Sequence, residues 1–197
     1  MIIIARFVLL ALLFSSLANT SQMVFAKGFD NVKEACRVTR YQNLCIHSLS
    51  QFSNTAGRSP SKWARASVSV TIGEVKNVQK YLQNLNRNKI IMRGRNRIAL
   101  SDCIESFADT IDELHKSLNV LRRLSKSIFS TQMGDLNTWI SAALTNEETC
   151  IDGFEGQSKN QIKMLRNRVQ NVSCITSNAL ALVNKLATTG IGSITDP

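Results

Sequence analysis

The sequence predicts an all-α protein, an antiparallel up-down four-helix bundle preceded by an N-terminal helical hairpin that a disulfide holds together. Apolar residues recur at spacings of three and four along four long segments, which is typical of amphipathic helices. The 197 residues include only two prolines and nine glycines, too few for a loop-rich or all-β chain. Short or medium connections between such helices favour an antiparallel bundle.

Residues 1–26 have the layout of a secretory signal peptide, with Arg6 followed by a mostly apolar run and then small residues. A membrane anchor is the alternative, but the apolar run is shorter than the roughly 20 residues that a span needs. Cleavage after Ala18 and cleavage after Ala26 both fit the pattern. We therefore expect a secreted protein with no membrane contact after removal of the signal, in a compartment where disulfides persist.

Residues 27–58 are predicted to form the hairpin arm. Cys36 and Cys45 are nine positions apart, which on one straight helix would place them about 13.5 Å apart. A disulfide needs Cα atoms within roughly 4.4–6.8 Å. If the two cysteines pair, the chain must therefore turn back between them, with a bend near residues 39–42. Two unpaired buried cysteines are the alternative.

Residues 59–188 are predicted to form the bundle, and residues 189–197 a non-periodic tail. Ser59 and Pro60 suit the N-cap and the first position of a helix. The apolar stripe of the first helix is Val68, Ile72, Val75, Val78, Leu82 and Leu85. The stripe of the second, which begins near Ile98, is Ile104, Phe107, Ile111, Leu114, Leu118 and Leu121.

The third helix is predicted from about Met133 to Cys150, with a stripe made of Leu136, Trp139, Ile140, Ala143 and Leu144. The segment DGFEG at 152–156 supplies glycines that can end it. Ser158 and Gln161 have the spacing of a capping box for the fourth helix. The stripe of that helix is Ile162, Leu165, Val169, Val172, Ile175, Leu182 and Leu186.

The bundle order suggests a second disulfide. In an up-down bundle the start of the second helix lies near the end of the third, so Cys103 and Cys150 can meet. Cys174 follows about 15 residues into the fourth helix, roughly 22 Å along its axis from that end. We expect Cys174 to remain a free, partly buried thiol.

The formal net charge is +10, or +9 once Arg6 leaves with the signal, and it indicates an acidic partner. Export makes nucleic acid a poor candidate, and the charge alone does not choose among an anionic membrane, an acidic polymer such as a polysaccharide, and an acidic protein. A basic cluster between the first two bundle helices is either a solvated loop or a contact for such a partner. It consists of Arg87, Lys89, Arg93, Arg95 and Arg97.

Signs of enzyme chemistry are missing from the sequence. It has no HExxH, GxSxG or glycine-rich phosphate loop, and its two histidines stand alone on predicted helices. Asp152 has no further ligands at metal-binding spacing. We predict no catalytic residue, metal or cofactor. Asn171 begins an N-glycosylation sequon, Asn-Val-Ser, in mid-helix.

Four sequence blocks resemble the plant invertase and pectin methylesterase inhibitor family across nearly the whole mature chain. They are C-x8-C in the arm, SDCIESFADTIDEL at 101–114, TWISAALTNEETCIDGFEG at 138–156 and TSNALALVNKL at 176–186. The resemblance implies a four-helix bundle with a hairpin, and disulfides Cys36–Cys45 and Cys103–Cys150 with Cys174 free. It also implies an extracellular protein of the plant cell wall, or apoplast, that inhibits an enzyme by binding it.

The expected target is pectin methylesterase. Invertase inhibitors of this family carry a Pro-Lys-Phe motif where this chain has Leu136-Asn137-Thr138-Trp139. The TW-x-SAALT block is similar to pectin methylesterase inhibitors, and also to the pro-region of some pectin methylesterases. The alternatives are an invertase inhibitor, a pro-region-like chaperone and a polysaccharide-binding wall protein.

The resemblance implies a one-to-one complex in which the second and third bundle helices cover the pectin-binding groove of the esterase. On this sequence the residues expected to contact the partner lie near the Cys103–Cys150 end. They are Glu105, Thr145, Thr149 and Asp152.

Overall fold

The computed structural model describes residues 29–87, 94–156 and 160–190. The predicted signal peptide, the residues beyond 190, the predicted capping residue Ser158, and Lys89 and Arg93 of the basic cluster lie outside these ranges. The arm contains helix α1 (29–36), α2 (Gln42–Leu49), a 3₁₀ turn (Ser50–Phe52) and α3 (Ser53–Ala56). The long helices are α4 (Pro60–Arg87), α5 (Arg95–Leu121), α6 (Phe129–Asp152) and α7 (Asn160–Thr189).

The four long helices form the predicted up-down bundle. α5 packs between α4 and α6, and α7 packs against both α4 and α6, so the helices follow one another around a closed square. Their apolar stripes meet in one continuous core, with Leu82, Phe107, Leu114 and Leu165 fully buried. The all-α bundle with a disulfide-linked hairpin is therefore confirmed.

The third bundle helix begins one turn earlier than predicted, at Phe129. Gln132 explains this early start, because its amide folds back onto the preceding loop. Its Oε1 accepts a hydrogen bond from the Ser125 backbone N–H at 2.8 Å, and its Nε2 donates to the Arg123 carbonyl at 2.9 Å. These two bonds satisfy backbone groups at the entry to the helix.

Two residues predicted for the α6 stripe, Trp139 and Leu144, are only half-buried. The inward positions of this helix are instead Ile140, Ala143, Glu147 and Cys150, which recur at spacings of three and four. Because the prediction was based on hydrophobicity, it did not include Glu147, which lies on the same side of the helix. In α5, Ile104 and Ile111 pack at the edge of the core.

The arm turns between α1 and α2 where the sequence places its bend. Cys36 and Cys45 form a disulfide with Cα atoms 5.8 Å apart. Asn178 of α7 holds the turn, since its Oδ1 accepts from the Tyr41 N–H at 3.1 Å and its Nδ2 donates to the Tyr41 carbonyl at 3.0 Å.

The buried Trp63 donates from Nε1 to the Gly57 carbonyl at 2.9 Å and packs beneath the arm. The arm is thus fixed to the α4 and α7 side of the bundle.

A second disulfide, Cys103–Cys150, joins α5 to α6 with Cα atoms 4.3 Å apart. Cys174 on α7 is a free, half-buried thiol. Its interaction with Tyr41 raises the pKa of that phenol, a contact between arm and bundle that the sequence did not predict. None of the helices in the described ranges is long and apolar enough to span a membrane.

Candidate functional site

The expected partner-binding residues come together on one surface. Glu105 of α5 and Thr145, Thr149 and Asp152 of α6 are all exposed, close to the disulfide that joins the two helices. Further exposed polar side chains extend the same surface at spacings of three, four and seven. We call the α5–α6 face the set Asp102, Glu105, Asp109, Thr138, Thr145, Thr149 and Asp152.

The α5–α6 face is acidic although the whole chain is basic. α6 contains no lysine or arginine, and neither does α5 between residues 98 and 115. Carboxylates on this face therefore have no cation on the same stretch of helix to neutralise them. The face is suited to a partner surface with positive or hydrogen-bond-donating groups.

The threonines of the face also act mainly as acceptors. Each hydroxyl donates its proton to a carbonyl of its own helix: Thr145 to Ser141 at 3.2 Å and Thr149 to Thr145 at 2.8 Å. The lone pairs of these hydroxyls remain available to a partner. Carboxylates and such hydroxyls together present a surface that accepts hydrogen bonds and offers few donors.

The DGF part of the sequence positions the end of α6 against α5. At Gly153 a Cβ atom would lie 3.3 Å from the Cβ of Ala99, a tight contact that Ala99 would have to relieve by moving a few tenths of an ångström. Phe154 follows and is 1% exposed, anchored in the core. The close approach at Gly153 and the buried Phe154 hold Asp152 at the edge of the face.

Glu147 lies on the inward side of α6, fully buried against α7. Its Oε1 accepts a hydrogen bond from the Thr176 hydroxyl at 2.8 Å, while its Oε2 has no hydrogen-bond partner among the described residues. Burial raises the pKa of this carboxyl to about 8, although Thr176 and Ser173 partly oppose the shift. The group is therefore uncharged in acid and at neutral pH.

The histidines do not form a catalytic arrangement. His115 lies on the surface, where its Nε2 is 2.9 Å from the Lys76 ammonium. Partial burial and that ammonium lower the pKa of His115. Within residues 29–87, 94–156 and 160–190, no group of three metal-ligating side chains is gathered in one place.

Two other predicted features are on α7, and at the end of α4 with the first turn of α5. Asn171 is exposed on the surface of α7, so its glycosylation stays a prediction. Of the basic cluster, Arg87, Arg95 and Arg97 are exposed at the disulfide end of the bundle.

Comparison with known proteins gives consistent matches. A family model for the plant invertase/pectin methylesterase inhibitor family matches residues 30–182. The chain is 47% identical over 162 residues to Pectinesterase inhibitor 6 of Arabidopsis thaliana, covering 81% of this chain and 77% of that protein. It is 34% identical over 165 residues to Pectinesterase inhibitor 10 of the same plant, covering 82% of this chain and 53% of that protein.

A similar fold is found among solved structures. The crystal structure of a mutant form of a pectin methylesterase inhibitor from Arabidopsis matches with a TM-score of 0.62 and 20% sequence identity. The match covers 77% of this chain and 93% of that one. At this level of identity the likeness concerns the fold alone.

Proposed function

Because the chain belongs to the plant invertase/pectin methylesterase inhibitor family, we propose that it binds pectin methylesterase and inhibits it. It is an inhibitor protein and not an enzyme, as its relatives named pectinesterase inhibitors are. The structural observation that supports the proposal is the α5–α6 face. It is an exposed surface of hydrogen-bond acceptors on two helices joined by a disulfide.

The α5–α6 face imitates the polymer that it displaces. Pectin is a chain of galacturonate units, so a groove that binds it must supply donors for sugar hydroxyls and for carboxyl groups. The face presents hydroxyl oxygens, as at Thr145 and Thr149, beside carboxylates, as at Glu105 and Asp152. One inhibitor seated on the groove of one esterase excludes the polymer by occupying the same donors.

Rigidity favours such a complex. The face lies on regular helices that the Cys103–Cys150 bridge holds together. A surface that is already ordered loses little conformational entropy when it binds, so more of the contact energy appears as affinity.

Secretion to the cell wall is part of the proposal. Residues 1–26 act as the signal peptide, and the two disulfides of the remaining chain are stable in an oxidising compartment. In this scheme residues 27–58 form the arm and residues 59–188 the inhibitory bundle. Asn171, exposed on α7, is available to a glycan.

Direct binding to anionic pectin is a second candidate function. The net charge of +10 supports it, because a cationic protein is attracted to a polymer of carboxylates. It is compatible with inhibition, since the charges that favour it lie outside the α5–α6 face.

A paired activity assay tests the inhibitory function. The oxidised protein is titrated into a plant pectin methylesterase and, in parallel, into a plant acid invertase. We expect esterase activity to fall linearly to near zero at one equivalent of inhibitor, with invertase activity unchanged. Inhibition of invertase alone would mean that the missing Pro-Lys-Phe motif does not assign the target, and inhibition of neither would refute the proposal.

A further inference from the structure

An open groove lies at the opposite end of the bundle from the disulfide that supports the α5–α6 face. It has a volume of about 310 Å³ and is formed by the arm, the first turns of α4 and the last turn of α5. Three cationic side chains line it, together with hydroxyls and one aromatic ring: Lys62, Arg65, Arg122, Thr55, Ser69 and Phe52. We call these six residues the basic groove.

The positive charge of the basic groove is not balanced by its own segments. Residues 35–73 and residues 114–134, which supply all of its lining, contain no aspartate or glutamate. Arg65 and Arg122 are exposed and make no salt bridge with any residue that the structure describes. The groove therefore combines a concave shape with the positive charges of Arg65 and Arg122, which attract anions.

The side chains of the groove suit a polymer of sugar acids. A guanidinium group can bind a carboxylate through two parallel hydrogen bonds, so Arg65 and Arg122 are matched to carboxylates. The oxygens of Thr55 and Ser69 are available to sugar hydroxyls, and the half-buried Phe52 offers an apolar surface to a pyranose ring.

The groove is remote from the proposed esterase contact. Arg122 follows Cys103 by 19 positions on α5, which corresponds to about 28 Å along the helix axis. A polymer bound here leaves the α5–α6 face open.

We propose that the basic groove binds polygalacturonate, the de-esterified form of pectin. This inference rests on the proposed function, because polygalacturonate is the anionic product that the target esterase releases. Binding to it would retain the inhibitor where esterase has already acted, while the other end of the bundle remains free for the enzyme.

Co-sedimentation with insoluble polygalacturonate at low and moderate salt tests the groove. The variant R65Q/R122Q removes the two guanidinium groups. The control K80Q/K163Q removes the same charge from exposed positions of α4 and α7 that do not line the groove. We expect R65Q/R122Q to bind at least about tenfold more weakly than wild type, since each charge-assisted contact contributes roughly a factor of ten, and the control to change by less than about threefold.

Two further measurements separate this proposal from the inhibitory function. Fully methyl-esterified pectin, which lacks carboxylates, should bind wild type at least about tenfold more weakly than polygalacturonate. Inhibition of the esterase on a soluble substrate is measured for the same variants, and R65Q/R122Q should inhibit as wild type does. If both double variants lose polymer binding equally, or if wild type does not bind polygalacturonate at low salt, the basic groove is not a polygalacturonate site. Neither outcome affects the inhibition result.

Discussion

Replacing Glu147 with glutamine (E147Q) is expected to remove the decline in stability that this carboxyl should cause in the bundle between pH 5 and pH 8. The folded protein holds this carboxyl protonated, because burial raises its pKa from 4.5 to about 8. The unfolded chain exposes it, and its pKa returns to the ordinary value. Glutamine keeps an oxygen that can accept the Thr176 hydrogen bond, but it cannot titrate.

The direction of the effect follows from the order of the two pKa values. Below pH 4.5 the carboxyl is protonated in both states, and its contribution to stability is fully present. As the pH rises toward 8, the unfolded state loses the proton first, so the free energy of unfolding falls by about 1.4 kcal/mol per pH unit. From pH 5 to pH 8 the decline is on the order of 4 kcal/mol, and above the folded pKa it stops.

Urea denaturation of wild type and E147Q at several pH values measures this decline. E148Q is the matched control, because Glu148 is the next residue on α6 and is exposed. Wild type and E148Q should lose stability together as the pH rises, while E147Q should show a nearly flat profile and exceed wild type at pH 8. A slope for E147Q equal to that of wild type would show that Glu147 does not titrate as described.

Removing the bundle disulfide by C103A/C150A is expected to destabilise the protein more than removing the arm disulfide by C36A/C45A. The separations are 47 residues and nine residues. The loop-entropy relation gives a loss of about 4 kcal/mol for the first and about 2.6 kcal/mol for the second. All four cysteines are buried, so alanine avoids placing a hydroxyl in the core.

Unfolding free energies of the two double variants, measured under identical conditions, test this order. The bundle variant should also lose inhibitory strength, because the bridge supports the α5–α6 face. The arm variant should keep it, since the arm lies at the far end. A larger loss of stability from the arm variant would contradict the loop-length argument.

Periodicity predicted the bundle well because most of its core positions are apolar. The stripes of α4, α5 and α7 contain residues whose hydrophobicity marks the inward side, so the helices and their order follow from spacing. The start of α6 was missed because it depends on Gln132. A polar residue whose amide bonds the preceding loop has no hydrophobic signal.

Glu147 was missed for a related reason. Ile140, Ala143 and Cys150 face the core, and Glu147 lies between them at the same spacing of three and four residues. A prediction based on spacing alone would therefore have included Glu147. A glutamate at such a place is ordinarily assigned to the surface, and only the tertiary contact with Thr176 shows how it is accommodated. The same applies to Asn178, whose two bonds to Tyr41 join residues that are far apart in sequence.

The candidate site was predicted from the motif and not from periodicity. The block at 138–156 supplies Thr145, Thr149 and Asp152, which the structure places on α6, and Glu105 follows Cys103 on the neighbouring α5. Their contact with a partner stays a prediction. The basic groove was not predicted, because its cations come from segments that only the folded chain brings together. The absence of acidic residues from 35–73 and 114–134 is a signal that the sequence does carry.

The inhibition constant of the variant E105R/T149R against pectin methylesterase shows whether the α5–α6 face binds the enzyme. Both substitutions place a cation on the acidic α5–α6 face, at positions that are exposed and outside the core. The matched control is E34R/T188R, which makes the same two changes at exposed positions on the arm and at the end of α7.

We expect the inhibition constant of E105R/T149R to rise roughly a hundredfold, the effect of losing two central interface contacts. The control should stay within about threefold of wild type, and raising the pectin concentration should relieve wild-type inhibition. If E105R/T149R inhibits as strongly as wild type, the α5–α6 face does not bind the esterase.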